Sequence, residues 1–508
     1  MSRLVVVSNR VAAAEDSARA GGLSVALRSA LRAGSALWFG WSGGRTAHFD
    51  GSLKTYRVDD IEVFTLDLED ADYEEYYNGY ANATLWPVFH SRTDLAAYDR
   101  VFSEGYQRVN RRFAEALAPL LRPDDLIWVH DYHLIPLGRE LRRLGVANPI
   151  GFFLHIPWPA PQLFTTLGQH RDLAASMFAY DLIGLQTEDC VSAFEAYVLG
   201  EAGGSGRAGR LSAFGQSVQV AAFPIGLDTD GFLAMARSPT AERTFDRVAA
   251  HNVFRSMIVG VDRLDYSKGL PERLLGFERY LRDHPEMVSK VLYLQVAPSS
   301  REDVEAYQTL RARVLALAGS INASWADLDH APVLCVNRNY SRAELAGIYR
   351  AARVGLVTPL REGMNLVAKE YVAAQDPHDP GVLILSRFAG AASQMKDALI
   401  VNPYAPEEMS EAIHSALEMP LHERRRRWAS LMDGVVRDDV RAWRDRFVAA
   451  LKATRREPAP ESERPAPGRI VVGGAVLSEP TPEPRPLETR SGAGSAISTP
   501  GWPRTAQG

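Results

Sequence analysis

Cysteine is almost absent. Cys190 and Cys335 are the only two in 508 residues, so neither a disulfide framework nor a cysteine-rich zinc site can be built, and a reducing cytoplasm is the expected location. Long hydrophobic runs are missing as well. No stretch approaches the roughly 18 apolar residues of a bilayer-spanning helix, and the opening MSRLVVVSNRV has only residues 4–7 in unbroken apolar sequence, too short for a signal-peptide core. No membrane insertion is expected. Nor is there an excess of basic charge. With a formal net charge of -5, no broad positive field awaits nucleic acid, and any phosphate must be gripped by a few placed side chains.

What the chain does have is apolar mass, 46% of its residues, distributed in short runs. LVVVSN, DLIWVHD, IGFFLHIP and YDLIGLQT are followed, after a gap, by SMIVGVDRLD, KVLYLQVAP, VGLVTPL and GVLILSR. Runs this continuous suit strands covered on both faces, so the fold class is α/β with parallel sheets. The series pauses over the small-residue stretch 200–217 and restarts near Ser256. A first domain over 1–235 and a second over 236–456 follow. Residues 457–508 hold ten of the thirty prolines, and that composition buries too little apolar area to offset ordering entropy, so a disordered tail is expected there. Many runs end in Asn9, Arg10, Asp131, His155, Arg263, Arg301 or Arg361. Ligands of open α/β sheets sit beyond the carboxyl ends of the strands, where these residues converge.

Four motifs are set against this reading. GWSGG at 40–44 matches a serine nucleophile elbow by letter, but RTAHFDGSL does not continue as the helix that elbow requires. GSGRAG at 204–209 has neither a leading strand nor a following helix and reads as a flexible loop rather than a dinucleotide fingerprint. LDTDGF at 227–232 resembles a phosphatase motif, yet Phe232 stands where a threonine is needed, and a connector is the better reading. His130 and His133 in HDYH do not share a strand face, so no metal site is expected.

Chemistry is carried instead by three turns. VGVDRLDYSKGLPER sets Arg263 and Lys268 after a strand, as two cations suited to a diphosphate. In VTPLREGMNLVAKEYVAAQ, Glu362 and Gly363 lead into a helix whose free amides favour a phosphate, with the glycine allowing close approach. In SNRVAAAEDSARAGGL, Arg10 is joined with a loop ending in Gly21 and Gly22. Two such domains facing each other enclose a cleft for two phosphorylated compounds.

Those segments, with LWFGWSG, EEYYNGYANATLWPVFH, GFFLHIPWPAP and VAPSSREDVEAYQ, run in order from residue 1 to about 452. They resemble the trehalose-6-phosphate synthase family, retaining glucosyltransferases of the GT-B fold that need no metal and no cofactor. The resemblance implies two Rossmann-like domains and transfer of glucose from UDP-glucose to glucose 6-phosphate. It implies Arg10, Tyr77, Trp86 and Arg301 around glucose 6-phosphate, Asp131 by the acceptor sugar and His155 against the transferred glucose. On the donor side it implies Gly21 and Gly22 near the diphosphate, with Arg263 and Lys268 holding it by charge. The segment Glu362, Gly363, Met364, Asn365, Leu366, Val367, Ala368, Lys369, Glu370 falls to the donor too, Glu362 towards glucose hydroxyls and Glu370 towards ribose. Glu362 and Tyr340 depart from the family pattern, which has aspartate and phenylalanine there. A homo-oligomer, dimer or tetramer, is also expected. ADP- or GDP-glucose as donor, and a silent sugar-phosphate-sensing scaffold, remain the alternative readings.

Overall fold

The computed structural model describes residues 2–11, 22–31, 35–300 and 305–454. Gly21, Arg301 and the stretch 457–508 lie outside the described residues. Among the described residues sixteen strands fall into two sheets. The first holds β1 (Leu4–Arg10), β2 (Ala36–Thr46), β3 (Lys54–Val58), β4 (Ile61–Glu69), β5 (Leu126–His130), β6 (Ile150–Phe153), β7 (Leu182–Leu185), β8 (Ser205–Arg207), β9 (Arg210–Ala213) and β10 (Gln216–Ala222), in the order 3-4-2-1-5-6-7-10-9-8. Its central seven strands pair in parallel, while β3, β9 and β8 join antiparallel at the edges. The second sheet, entirely parallel, holds β11 (Ser256–Val261), β12 (Val291–Val296), β13 (Val333–Val336), β14 (Val354–Val357), β15 (Val382–Ser386) and β16 (Leu399–Val401), in the order 13-12-11-14-15-16.

The apolar runs explain the interior strands. Val5, Val6 and Val7 of β1 are all buried because helices cover both faces of the sheet. Edge strand β3 has no such cover and carries exposed polar residues. The stretch 204–209, expected to be a flexible loop, is instead the hairpin of β8 and β9, turned through Ala208 and Gly209 at φ 52° and 77°. Two successive residues at positive φ make the tight turn that right-twisted strands favour. Sequence reasoning missed it because the strands are short and exposed.

Both sheets reverse direction at one place. From β1 the chain moves outward through β2 and then crosses to β5 on the other side; from β11 it moves through β12 and β13 and then crosses to β14. A crevice opens above the strand ends at each such reversal. Arg10 and Asp131 end or follow β1 and β5, and Arg263 and Glu362 follow β11 and β14.

The last helix, Val440–Ala453, returns to the first sheet. Asp439 caps it by accepting from the Ala442 N–H at 2.7 Å. Its Trp443, Phe447 and Leu451 are fully buried, and the Phe447 ring stacks on Trp128 of β5 at 4.5 Å and 13°. Gly151 and Gly184 make room, since a Cβ at either would come within 2.8 Å of Phe447. Each such buried side chain contributes roughly 1.5–3 kcal/mol.

Candidate active site

The crevice between the two reversals is a cavity of about 690 Å³. From the first sheet come Trp86, Asp131 and His155; from the second come Arg263, Lys268, Tyr340 and the segment 362–367 with Glu370. These sequence-expected residues therefore do meet.

On the second sheet's side the cations are already partnered. After β11, Asp265 accepts from the Ser267 N–H at 3.0 Å and shapes a short 3-10 turn over Tyr266–Lys268. Gly269 closes that turn at φ +65°, where a Cβ would sit 2.4 Å from the Thr358 carbonyl oxygen. Lys268 Nζ donates to Glu362 Oε1, and Asn365 Nδ2 donates to Glu362 Oε2 at 2.8 Å. Burial alone would raise the Glu362 carboxyl, but the charge and hydrogen bond of Lys268, with help from Asn365 and Arg263, hold it below its ordinary value. Arg263 faces Asp265 at 3.1 Å, and its guanidinium lies 4.9 Å from the Trp86 ring across the cleft. One cation thus touches both halves.

Asn365, at φ 96°, caps the helix Leu366–Ala374 by accepting from the Ala368 N–H at 2.9 Å. Leu366 and Val367, in its first turn, line the cavity, and first-turn amides lack intrahelical acceptors. One turn on, Glu370 Oε1 accepts from Arg342 Nη2 at 2.8 Å. Burial raises the Glu370 carboxyl above its usual range despite that partner. Arg342 was not anticipated from sequence, because only the fold carries its helix, Arg342–Ala351, to Glu370.

Gly363 lines the cavity and also makes room within the fold. A Cβ there would lie 2.2 Å from the His155 carbonyl oxygen, so the close approach is between the two halves of the protein. Ala368 and Lys369, expected on the donor, do not line the cavity. Ala368 is buried in the core. Lys369 Nζ donates to the Ile225 carbonyl and to Gln394 Oε1, both at 2.8 Å, and its burial lowers the amine to about 8. A helix keeps one face for packing, and these two side chains are on it.

On the first sheet's side Asp131 takes φ 76° directly after β5, a conformation costly for a residue with a side chain and typical of functional sites. Its Oδ1 accepts from the His155 N–H at 3.2 Å. His155 is held neutral by burial, its ring lowered to about 3, with Nε2 3.1 Å from His130 Nδ1. Arg10 and Tyr77 line a second pocket of about 540 Å³ with Trp41, Gly43, Arg45 and Tyr73. Tyr73 and Tyr77 stack at 5.5 Å on a π-helix, Tyr73–Leu85, a winding uncommon outside functional sites. The residues expected on the acceptor thus fall in two pockets, Trp86 and Asp131 in one, Arg10 and Tyr77 in the other. Gly22 begins the helix Gly22–Leu31.

The rejected motifs have structural employment. Ser42 lies within β2 and hydrogen-bonds Asp67, with no helix after it. Asp228 caps the helix Thr229–Ala236 by accepting from Gly231 N–H at 3.3 Å. Among the described residues no cluster of three or more metal-ligating side chains occurs, and no helix is long and apolar enough to cross a membrane.

A family model described as glycosyltransferase family 20 matches residues 3–453. The trehalose-6-phosphate synthase of Sinorhizobium fredii is 46% identical over 462 residues, covering 89% of this chain and 99% of that protein. A UDP-forming α,α-trehalose-phosphate synthase from Burkholderia xenovorans, solved in complex with glucose-6-phosphate, is similar at a TM-score of 0.85 and 47% identity over 89% of this chain and 100% of that one. The E. coli protein bound with UDP-2-fluoro glucose gives 0.85 and 45%, over 89% and 99%. With the GT-B arrangement of two parallel-sheet domains and a family match over nearly all its described length, the chain belongs to glycosyltransferase family 20.

Proposed function

We propose that the chain transfers glucose from UDP-glucose to glucose 6-phosphate, giving α,α-trehalose 6-phosphate and UDP. The observation that supports this most is that Arg263, Lys268 and the helix start at Leu366 and Val367 line the same cavity as Asp131 and His155. A relative named for that activity is 46% identical over 89% of this chain.

In this reading Arg263, Lys268 and the helix start hold the diphosphate, and Gly21 and Gly22 approach it through their backbone. Glu370 accepts from ribose hydroxyls and Glu362 from glucose hydroxyls, with Tyr340 near the uridine. Met364 and Asn365 shape the turn between them. Arg10, Tyr77, Trp86 and Arg301 hold glucose 6-phosphate, and Asp131 and His155 orient the two sugars. Transfer proceeds on one face. As the bond from anomeric carbon to UDP breaks, the acceptor hydroxyl forms the new bond, and its proton passes to the departing phosphate oxygen, so configuration is retained. The two cations stabilise the charge that grows on that oxygen. No divalent ion is required for this step, and the protein works as a cytoplasmic homo-oligomer.

The test is an assay of purified protein with UDP-, ADP- and GDP-glucose, each with glucose 6-phosphate, following nucleotide release. UDP release that persists in excess chelator is the expected result. No release from any donor would overturn the transferase reading and favour the scaffold.

A further inference from the structure

The GWSGG segment, no nucleophile elbow, builds something else. Strand β2 pairs with β4 through Trp41 opposite Leu66 and then Arg45 opposite Leu68, so residues 42–44 bulge out against the single residue Asp67. The bulge is fixed from inside: Trp41 Nε1 donates to the Gly44 carbonyl at 2.6 Å, the Gly44 N–H donates to Ser42 Oγ at 2.9 Å, and Ser42 bonds Asp67. At its crest Gly43 takes φ +90°, and a Cβ there would sit 2.8 Å from the Arg10 guanidinium. Bulges redirect side chains beside active sites. This one brings Arg45 to the same pocket as Arg10.

The two guanidiniums rest on aromatic faces, Arg10 at 5.8 Å from Trp41 and Arg45 at 4.9 Å from Tyr73. Arg45 faces Asp70 at 3.4 Å, but both side chains are more than half exposed, at 52% and 67%, and such a pair holds its cation weakly. Among the described residues Glu74 is the one carboxylate lining the pocket, and its Oε2 accepts from Asn78 at 3.0 Å. Among the described lining residues positive charge is therefore in excess, with two forked donors.

We propose that Arg45 is a second cation for the phosphate of the acceptor sugar, set beside Arg10 by the 42–44 bulge. This rests on the transferase reading. Arg45 acts on acceptor affinity alone, because the donor's cations stand at the other reversal.

Steady-state kinetics of wild type, Arg45→Gln and Arg45→Lys test it, with each substrate varied in turn. In Arg45→Gln the KM for glucose 6-phosphate rises about tenfold, the loss of one charge-assisted contact, while kcat and the KM for UDP-glucose stay at wild-type values. Arg45→Lys recovers part of the loss, and added salt narrows the gap. An unchanged KM for glucose 6-phosphate in Arg45→Gln, with wild type active, overturns the role of Arg45 and leaves the transferase reading intact. A wild type with no turnover overturns both.

Discussion

The two sides of the cleft hold their charges in different ways. At the second sheet's reversal three largely buried cations face carboxylates, Lys268 with Glu362, Arg273 with Asp262 and Arg342 with Glu370, while Arg263, the exposed one, faces both Asp265 and the Trp86 ring. At the first, Arg10 and Arg45 rest on aromatic faces in an open pocket. Paired and buried charges belong to the fold, because removing one strands its partner away from water. Stacked and exposed charges belong to the ligand, because water replaces them at little cost. In the proposed function this side is thus built before the donor arrives, and a diphosphate bound there would draw Lys268 away from Glu362.

Replacing Lys268 by Met strikes both roles at once. Turnover is expected to fall about 10²–10³-fold, and urea unfolding to show a loss of about 3–5 kcal/mol, since Glu362 stays buried without its partner. Full stability in that variant would break the contrast between the two sides. Trp443→Ala removes one of the two rings of the last helix that meet Trp128 of β5, at 4.7 Å, and is expected to cost about 3–5 kcal/mol in the same measurement.

Acid acts next. His90 and His155 are lowered by burial to about 4 and about 3, so both stay neutral in the folded chain while their unfolded counterparts protonate near 6.5. Folded pKa values below unfolded ones mean stability complete above pH 6.5 and lost as pH falls from there towards 4 and 3. Each is worth about 2 kcal/mol at pH 5, and the unfolding midpoint should drop between pH 7 and pH 5. A flat profile would show that water reaches these rings. The smallest effect on folding is expected for Arg10→Gln, within about 0.5 kcal/mol of wild type, with acceptor KM raised about tenfold.

Much of this was legible in the sequence because strand ends are legible. Uninterrupted apolar runs marked β1, β5, β11 and β14, and the polar residues after them, Arg10, Asp131, Arg263 and Glu362, had to emerge at the carboxyl edges. What stayed hidden depended on contacts between distant segments. Nothing near Gly363 shows that its missing side chain makes room for the His155 carbonyl, or that Arg342 will reach Glu370. Lys369 reads like its cavity-lining neighbours until the helix phase turns it towards Ile225. Arg45 was hidden by the bulge, since strict alternation along β2 takes no account of three residues sharing one position.

Calorimetric titration of Arg263→Ala with UDP and with glucose 6-phosphate, beside wild type, tests the division of the cleft most directly. UDP affinity should fall at least about tenfold while glucose 6-phosphate affinity stays within about twofold of wild type. Equal losses for both ligands would contradict a cleft whose two sides bind separately.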